Sequence, residues 1–524
     1  MTDPVCLIGL DGATWDLLEP WIDDGELPTL ESFLKRGAYG ALHSTVPSNT
    51  PVALPALYTG CSPSKTGSFN FTRAEGTPVR LQEIEGPKLW GVLGEFDRRS
   101  CVVNVRTTHP PDSIDGVMIS GPPTPGEDCR NSHPPGTADE VAYYPEAATD
   151  ESRFHSDPYA RSDEMVETFS TGLQRRFESF TSLLAADEFD FRMFWIGRTD
   201  SLQHWLWNDE TSLLGFYKEV DSLIGRFLSE TSGDVFVVSD HGFESMASRR
   251  FHVNEWLRRN GHLSVYGGAV GNAVLSTGQA VVRAHVPGHT LKRLLSTPGR
   301  HRDDTNSRAV IDRSRTNIPG ITAASDAVLS TKWGIDVHET GAEGEQICGD
   351  IVRGLSDLED DAGRDVVRFV ARRGDVYDEG PYLDDIPDVV FQLHQPYLAE
   401  AELSRTLFSE MGPSAAVQRS GHRFDGWHAY DPEGVWMAQG PRVASGEREN
   451  LHITDVAPTL LHMLGVPVPE QMSGDVTQSI FDENASLRNE PVERLRREWR
   501  QSESDVSDAE MEQVHEQLRD MGYR

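Results

Sequence analysis

The sequence predicts an α/β fold, a mainly parallel central sheet flanked by helices, with an inserted cap region. Three observations carry that reading. Short runs of apolar β-formers alternate with longer amphipathic stretches of helical period, the pattern of parallel strands joined by helices. Two of those runs stop at acidic residues beside glycine, in Leu10-Asp11-Gly12 and Ser239-Asp240-His241-Gly242. Open α/β sheets place their sites at such strand ends. The rhythm is then broken by a polar, mixed stretch over 250–385.

Taken in order, the predicted strands are 5–10, 101–105, 116–120, 189–196, 235–239, 389–393 and 434–438. Each is a short apolar block, of strand length rather than helix length. Between them, 164–186 and 213–228 repeat apolar residues at helical spacing. Residues 121–162 are rich in Pro, Gly and acidic side chains, which predicts a long surface loop. Thr454 caps a further helix, with Pro458 in its first turn and Gly465 as its stop. Near the end, Ser507-Asp508-Ala509-Glu510 forms a capping box. Met511, Val514, Leu518 and Met521 then fall on one face of a docking helix. The expected organisation is a discontinuous catalytic core over 1–249 and 386–483, an inserted cap or substrate region over 250–385, and a helical tail over 484–524.

Composition narrows the function classes. The 524 residues include 83 acidic and 48 basic side chains, a formal net charge of −35. Only Lys35, Lys65, Lys88, Lys218, Lys292 and Lys332 are lysines, the other basic residues being arginine. An acidic, lysine-poor surface suits solubility in concentrated salt, where charges are screened within about 3 Å, and it predicts a halophilic, archaeal source. Binding to nucleic-acid polymers is not expected, because counterion release needs basic residues. The five cysteines are scattered without CxxC spacing, which argues against a disulfide framework or a thiolate metal site. Without a signal peptide or a long apolar run, the expectation is a cytoplasmic protein with no membrane partner. Oligomeric state is not legible.

The chemistry concentrates in four places. Asp200 and His204 stand at i and i+4, on one face if that stretch is helical. Asp240 and His241 are adjacent at the end of an apolar run. Asp11 follows another run, and Thr50 sits in the hydroxyl-rich turn Pro47-Ser48-Asn49-Thr50-Pro51. Asp and His together suit divalent zinc or manganese. A hydroxyl at a helix start can act as a nucleophile while the helix amides hold a phosphoryl oxygen. Spacing alone leaves Ser48 and Asn49 open beside Thr50. This is the ligand set of a metal-dependent hydrolase.

Four motifs in order, Ile8-Gly9-Leu10-Asp11-Gly12, Thr50 with Thr59-Gly60, Thr199-Asp200-Ser201-Leu202-Gln203-His204, and Ser239-Asp240-His241-Gly242-Phe243, resemble the alkaline phosphatase superfamily. The likeness is to its type I phosphodiesterase/nucleotide pyrophosphatase branch, and it continues through Asp455-Val456-Ala457-Pro458-Thr459. The resemblance implies an alkaline phosphatase-like fold, two divalent ions (zinc, with manganese as the alternative) and a small phosphorylated substrate. Asp11, Asp240 and His241 would hold one ion, with Thr50 bridging to it as nucleophile. Asp200, His204 and a late histidine would hold the second. Gly426-Trp427-His428 resembles the Gly-x-His segment of the family and favours His428, with His422 as the alternative.

The implied activity is hydrolysis of phosphate esters through a phospho-threonine. Sulfatases of the superfamily carry a C/S-x-P-x-R segment, which Ser48-Asn49-Thr50-Pro51-Val52 lacks. Thr66-Gly67 stands where the branch usually has His-Gly, so diester and monoester preference both stay open. A phosphomonoesterase, a phosphoglycerate mutase-like phosphotransferase and a degenerate metal-binding scaffold are the alternatives.

Overall fold

The structure is a computed structural model and describes residues 3–72, 77–124, 131–143, 154, 161–265, 321, 325–411, 424–427, 433–497, 499 and 508–520. Its organising element is a ten-stranded sheet. Seven of the strands, in chain order, are β1 (Val5–Leu10), β2 (Ala38–His43), β3 (Ser100–Val105), β4 (Gly116–Ser120), β5 (Ser132–His133), β6 (Phe191–Ile196) and β7 (Asp234–Val238). From one edge the order is Gly446–Glu447, β2, Glu433–Gln439, β7, β1, β6, β3, β4, β5, with Leu451–His452 also on β2. β7, β1, β6, β3 and β4 run parallel. Glu433–Gln439 is antiparallel to both β2 and β7, and β5 is antiparallel to β4.

Every residue of β1 and β7 is buried, as expected of inner parallel strands covered on both faces. Side-chain alternation divides them between two cores. Val5, Leu7, Met193, Trp195, Phe236 and Val238 face one core, which contains Ala53, Leu54, Leu57 and Tyr58 of the helix Thr50–Thr59. Cys6, Ile8, Leu10, Phe194, Ile196, Val235 and Val237 face the other. There the helices Ser162–Ala186 and Glu210–Glu230 supply Phe169, Phe177, Phe180, Phe216 and Leu223.

Three elements differ from the sequence expectation. β2 carries no continuous apolar run; its residues alternate buried and half-buried. At its centre, a Cβ on Gly40 would stand 2.7 Å from Trp436 Nε1, so glycine there serves a close packing contact rather than a turn. Within 121–162, the described residues include β5 and a helical turn Thr137–Glu140. The strand Val389–Leu393 is not in the central sheet. It lies in a separate four-stranded antiparallel sheet with Ala327–Thr331, Gly334–Val337 and Val367–Arg372.

That second sheet belongs to a compact unit made of Ala247–Val376 and Asp384–Gly412, the rest of the chain forming the other unit. Inside it, the Asp360 carboxylate accepts Arg249 Nη1, Arg364 Nη2 and Tyr397 OH, each at 2.6 Å. It also accepts the Ala362 and Arg364 amides, so this buried carboxylate ties one loop to two strands. In the larger unit, the C-terminal helix Asp508–Asp520 sets Val514 and Leu518 against Phe71. Among the described residues no helix is long and apolar enough to cross a membrane.

One glycine of β1 admits a neighbouring ring. Gly9 pairs with Trp195 across β1 and β6, and a Cβ at Gly9 would lie 1.8 Å from the indole. The ring can cross β1 only because that residue has no side chain. Gly9→Ala should therefore destabilise the protein by about 1–3 kcal/mol, the usual range for overpacking. Chemical denaturation checks this; an unchanged midpoint would mean the indole moves aside at no cost.

Candidate active site

The register of the parallel strands places the first two carboxylates. Gly9 pairs with Val238, so Asp11 and Asp240, two residues on in each strand, leave the sheet at the same height. Both continue the alternation that faces the Thr50–Thr59 core. The ladder reaches one step further through Asp11 N–H, which donates to Ile196 O at 3.2 Å. Gly12 N–H donates to Asp240 Oδ1 at 3.2 Å and cross-links the two ends. Gly12 itself has a φ of +68°, a conformation that favours glycine.

Polar side chains pin these turns. Thr199 Oγ1 donates to Asp11 O at 2.6 Å, and Gln203 Nε2 to Gly12 O at 2.8 Å. Ser239 Oγ donates to Ala13 O at 2.8 Å while accepting Val435 N–H at 2.7 Å. Ser44 Oγ donates to Asp240 O at 2.6 Å. None of these contacts was visible in the sequence, since the partners of Ser239 and Ser44 are about 200 residues away in chain order.

Thr50 arrives on the helix that packs against the same face. It opens Thr50–Thr59, with Pro51 in the first turn and Gly60 ending the helix at a φ of +63°. Its Oγ1 stands 3.3 Å from Asp11 Oδ1 and 3.3 Å from His241 Nε2. His241 Nε2 is also 3.6 Å from Asp11 Oδ1 and 3.5 Å from Asp240 Oδ2. The candidate ligand atoms of Asp11, Asp240 and His241 all lie within 4.8 Å of one another, and all three residues are buried.

His241 Nδ1 is 3.0 Å from Gly242 O. A carbonyl only accepts, so Nδ1 donates there, which turns Nε2 toward the carboxylates. Burial pushes the Asp11 carboxyl well above the usual carboxylate range, with Asp240 adding to the rise and Arg106 opposing it. Burial raises Asp240 too, against the pull of His241. Asp240 Oδ2 is buried with no hydrogen-bond partner among the described residues. Two desolvated carboxylates, one with an oxygen that accepts no hydrogen bond, gathered around one imidazole nitrogen are costly as they stand. They fit a divalent cation.

Asp200 and His204 form their own pair on the helix Arg198–Leu206, with His204 Nε2 3.5 Å from Asp200 Oδ1. His204 Nδ1 is 3.0 Å from Gly426 O, which fixes the same tautomer as in His241. The ring is enclosed by Phe243, Phe424 and Trp427. Its burial lowers its pKa, with Asp200 opposing, and the neutral form is the one that ligates metal. Among the described residues no third Asp, Glu, His or Cys completes a group with this pair. Both late histidines, His428 and His422, lie outside the described residues. His252 is occupied elsewhere, with Nδ1 3.0 Å from Glu402 O and Nε2 2.8 Å from Ser409 Oγ.

Two further residues touch the cluster. Trp195 Nε1 donates to Asp11 Oδ2 at 3.1 Å, and Arg106 Nε lies 3.3 Å from the same oxygen. Neither carries a local motif. Only the neighbouring of β3, β6 and β1 brings them to Asp11.

The family model for type I phosphodiesterase / nucleotide pyrophosphatase matches residues 5–352. No curated protein matches the sequence. Phosphonoacetate hydrolase from Sinorhizobium meliloti 1021, solved with phosphonoacetate, is similar at a TM-score of 0.52 and 13% identity, over 89% of this chain and 96% of that one. Human ectonucleotide pyrophosphatase / phosphodiesterase 5 is similar at a TM-score of 0.48 and 13% identity, over 92% of this chain and 100% of that one. At such identity the likeness to the hydrolase bears on the fold alone, and that fold is alkaline phosphatase-like. The chain belongs to the type I phosphodiesterase/nucleotide pyrophosphatase family of phosphoric ester hydrolases.

Proposed function

We propose that this protein hydrolyses small phosphate esters with two divalent ions, zinc or manganese, and Thr50 as nucleophile. One observation carries the reading: the Thr50 hydroxyl, at a helix N-terminus, lies 3.3 Å from both Asp11 Oδ1 and His241 Nε2. Asp11, Asp240 and His241 hold one ion in this reading, and Asp200, His204 and His428 hold the other, with His422 as the alternative late ligand. Bound there, the ions supply Lewis-acid charge for the nucleophile and the phosphoryl oxygens.

The chain's own groups then have defined tasks. Thr50 Oγ1 gives up its proton to solvent and attacks phosphorus; the bond from phosphorus to the leaving oxygen breaks, that oxygen takes up a proton from solvent to depart as the alcohol, and a phospho-threonine remains. Water cleaves that ester and restores Thr50. The N-terminal turn of Thr50–Thr59 directs its amides at a phosphoryl oxygen. Asp11 and His241 fix the direction of the hydroxyl, so little reorganisation is left for the reaction.

Hydrolysis of bis-p-nitrophenyl phosphate beside p-nitrophenyl phosphate, in concentrated salt with Zn²⁺ or Mn²⁺, tests the reading. Thr50→Ala should lose roughly 10³-fold or more in kcat, the scale of deleting a nucleophile, and keep its metal content. Wild-type turnover by that variant would overturn the assignment of Thr50. Faster cleavage of the diester supports a phosphodiesterase, and faster cleavage of the monoester shifts the substrate class to phosphomonoesters.

The electrostatics give a second test. Burial raises the Asp240 carboxyl above its ordinary 3.8, so without metal the folded state holds that proton more tightly than the unfolded state. Stability contributed by the protonated form is present below the ordinary value and is lost as pH rises through the folded one. In chelator, Asp240→Asn should raise Tm more at about pH 8 than at about pH 4. With saturating Zn²⁺ the order should reverse, because the wild type alone keeps the full ligand set. An unchanged or lowered Tm for the chelated variant at the higher pH would count against a cation-dependent site.

A further inference from the structure

We propose that Arg106 is a positioning residue for Asp11, acting with Trp195 to engage one carboxylate oxygen and leave the other for the cation beside Thr50. The proposal rests on the metal-centre reading. The two oxygens of Asp11 face different company. Oδ2 has the Arg106 Nε at 3.3 Å and accepts Trp195 Nε1–H at 3.1 Å. Oδ1 has Thr50 Oγ1 at 3.3 Å and His241 Nε2 at 3.6 Å. A guanidinium and an indole approaching one oxygen set the plane of the carboxylate and commit it to offering a single oxygen to the metal. The indole donates a hydrogen bond and the guanidinium an ion-pair contact, and neighbours of this kind orient metal ligands.

Arg106 is itself built into place. It is buried, and its Nη2 donates to Gly197 O at 3.0 Å and lies 3.5 Å from Ser201 Oγ. Gly197 immediately precedes the helix that carries Asp200 and His204. The guanidinium thus joins the carboxylate after β1 to the turn after β6 that leads into the Asp200 and His204 helix. Room for it depends on two glycines. A Cβ on Gly197 would come within 2.6 Å of Arg106 Nε, although the Gly197 φ of −74° is open to any residue. Gly9 gives Trp195 its passage in the same way.

The side chain is more than a counter-charge to buried carboxylates. Arginine donates through a rigid planar fork, whereas lysine is a point charge on a flexible stem. If charge alone mattered, lysine would serve as well.

The test compares wild type with Arg106→Met, Arg106→Lys, Trp195→Phe and Gly197→Ala, after circular dichroism confirms folding. Mn²⁺ affinity is read by calorimetry, and the Mn²⁺ environment by electron paramagnetic resonance. Arg106→Met should bind one Mn²⁺ roughly 10–100-fold more weakly, the range seen when such supporting contacts are lost. The resonance spectrum should change, and kcat should fall with KM nearly unmoved. Arg106→Lys should stay close to Arg106→Met. Gly197→Ala removes no polar group but displaces the guanidinium, so it should shift Mn²⁺ affinity in the same direction even if Arg106→Met does not fold. Trp195→Phe should do so to a smaller degree. Wild-type affinity and spectrum in Arg106→Met or Gly197→Ala would overturn the proposal while leaving the metal-centre reading intact. Full rescue by Arg106→Lys would overturn it in favour of charge alone. A wild-type protein that binds no Mn²⁺ or Zn²⁺ would sink both.

Discussion

The constraint on which the site depends is the burial of Asp11 and Asp240 side by side at the carboxyl ends of adjacent parallel strands. Two carboxylates removed from water repel each other and lose hydration, a cost that neighbouring groups must offset. Arg106, Trp195 and Gly12 N–H supply part of the compensation. Asp240 Oδ2, which accepts no hydrogen bond among the described residues, marks what they leave undone. A fold that accepted this arrangement for stability alone would do better with apolar residues in both positions.

Strand alternation extends that constraint across the larger unit. Because β1, β6 and β7 are parallel and in register, one parity sends Asp11, Trp195 and Asp240 to the same face. The helix Thr50–Thr59 packs its apolar residues on that face, and its first residue falls beside the carboxylates. The other parity is filled by the aromatic-rich helices on the opposite side. The serine and threonine contacts to Asp11 O, Ala13 O and Asp240 O then stop the two turns from relaxing away from each other. A one-residue slip of β7 would send Asp240 to the wrong face.

Legibility in the sequence depends on how local the cause is. β1, β3, β4 and β7 are mostly apolar blocks of strand length and announce themselves. Asp240-His241 and the i, i+4 pair Asp200 and His204 are short-range patterns, and both pairs stand close in space. β2 did not announce itself, because Ala38–His43 mixes glycine, tyrosine and histidine and owes its strand state to pairing with Glu433–Gln439. Val389–Leu393 is as fully buried as β1 or β7, and nothing local reports which sheet it joins. Arg106 was invisible for the same reason. Its partner is 95 positions away in number, and only the placement of β3 beside β6 and β6 beside β1 makes them neighbours.

The charge of the chain gives the site a further meaning. A net charge of −35 repels phosphate esters at long range, and the site's carboxylates would repel them at contact. Concentrated salt removes the first effect by screening, but not the second, because buried charges are screened little. Under the two-metal reading the site turns from net negative to net positive when the ions bind, so the same carboxylates that repel an anion from the unloaded site recruit it to the loaded one. Arg106 adds one more positive charge beside Asp11. An acidic protein can therefore accept anionic substrates without a basic surface, provided its positive charge is concentrated where strand ends, a helix N-terminus and a buried guanidinium meet.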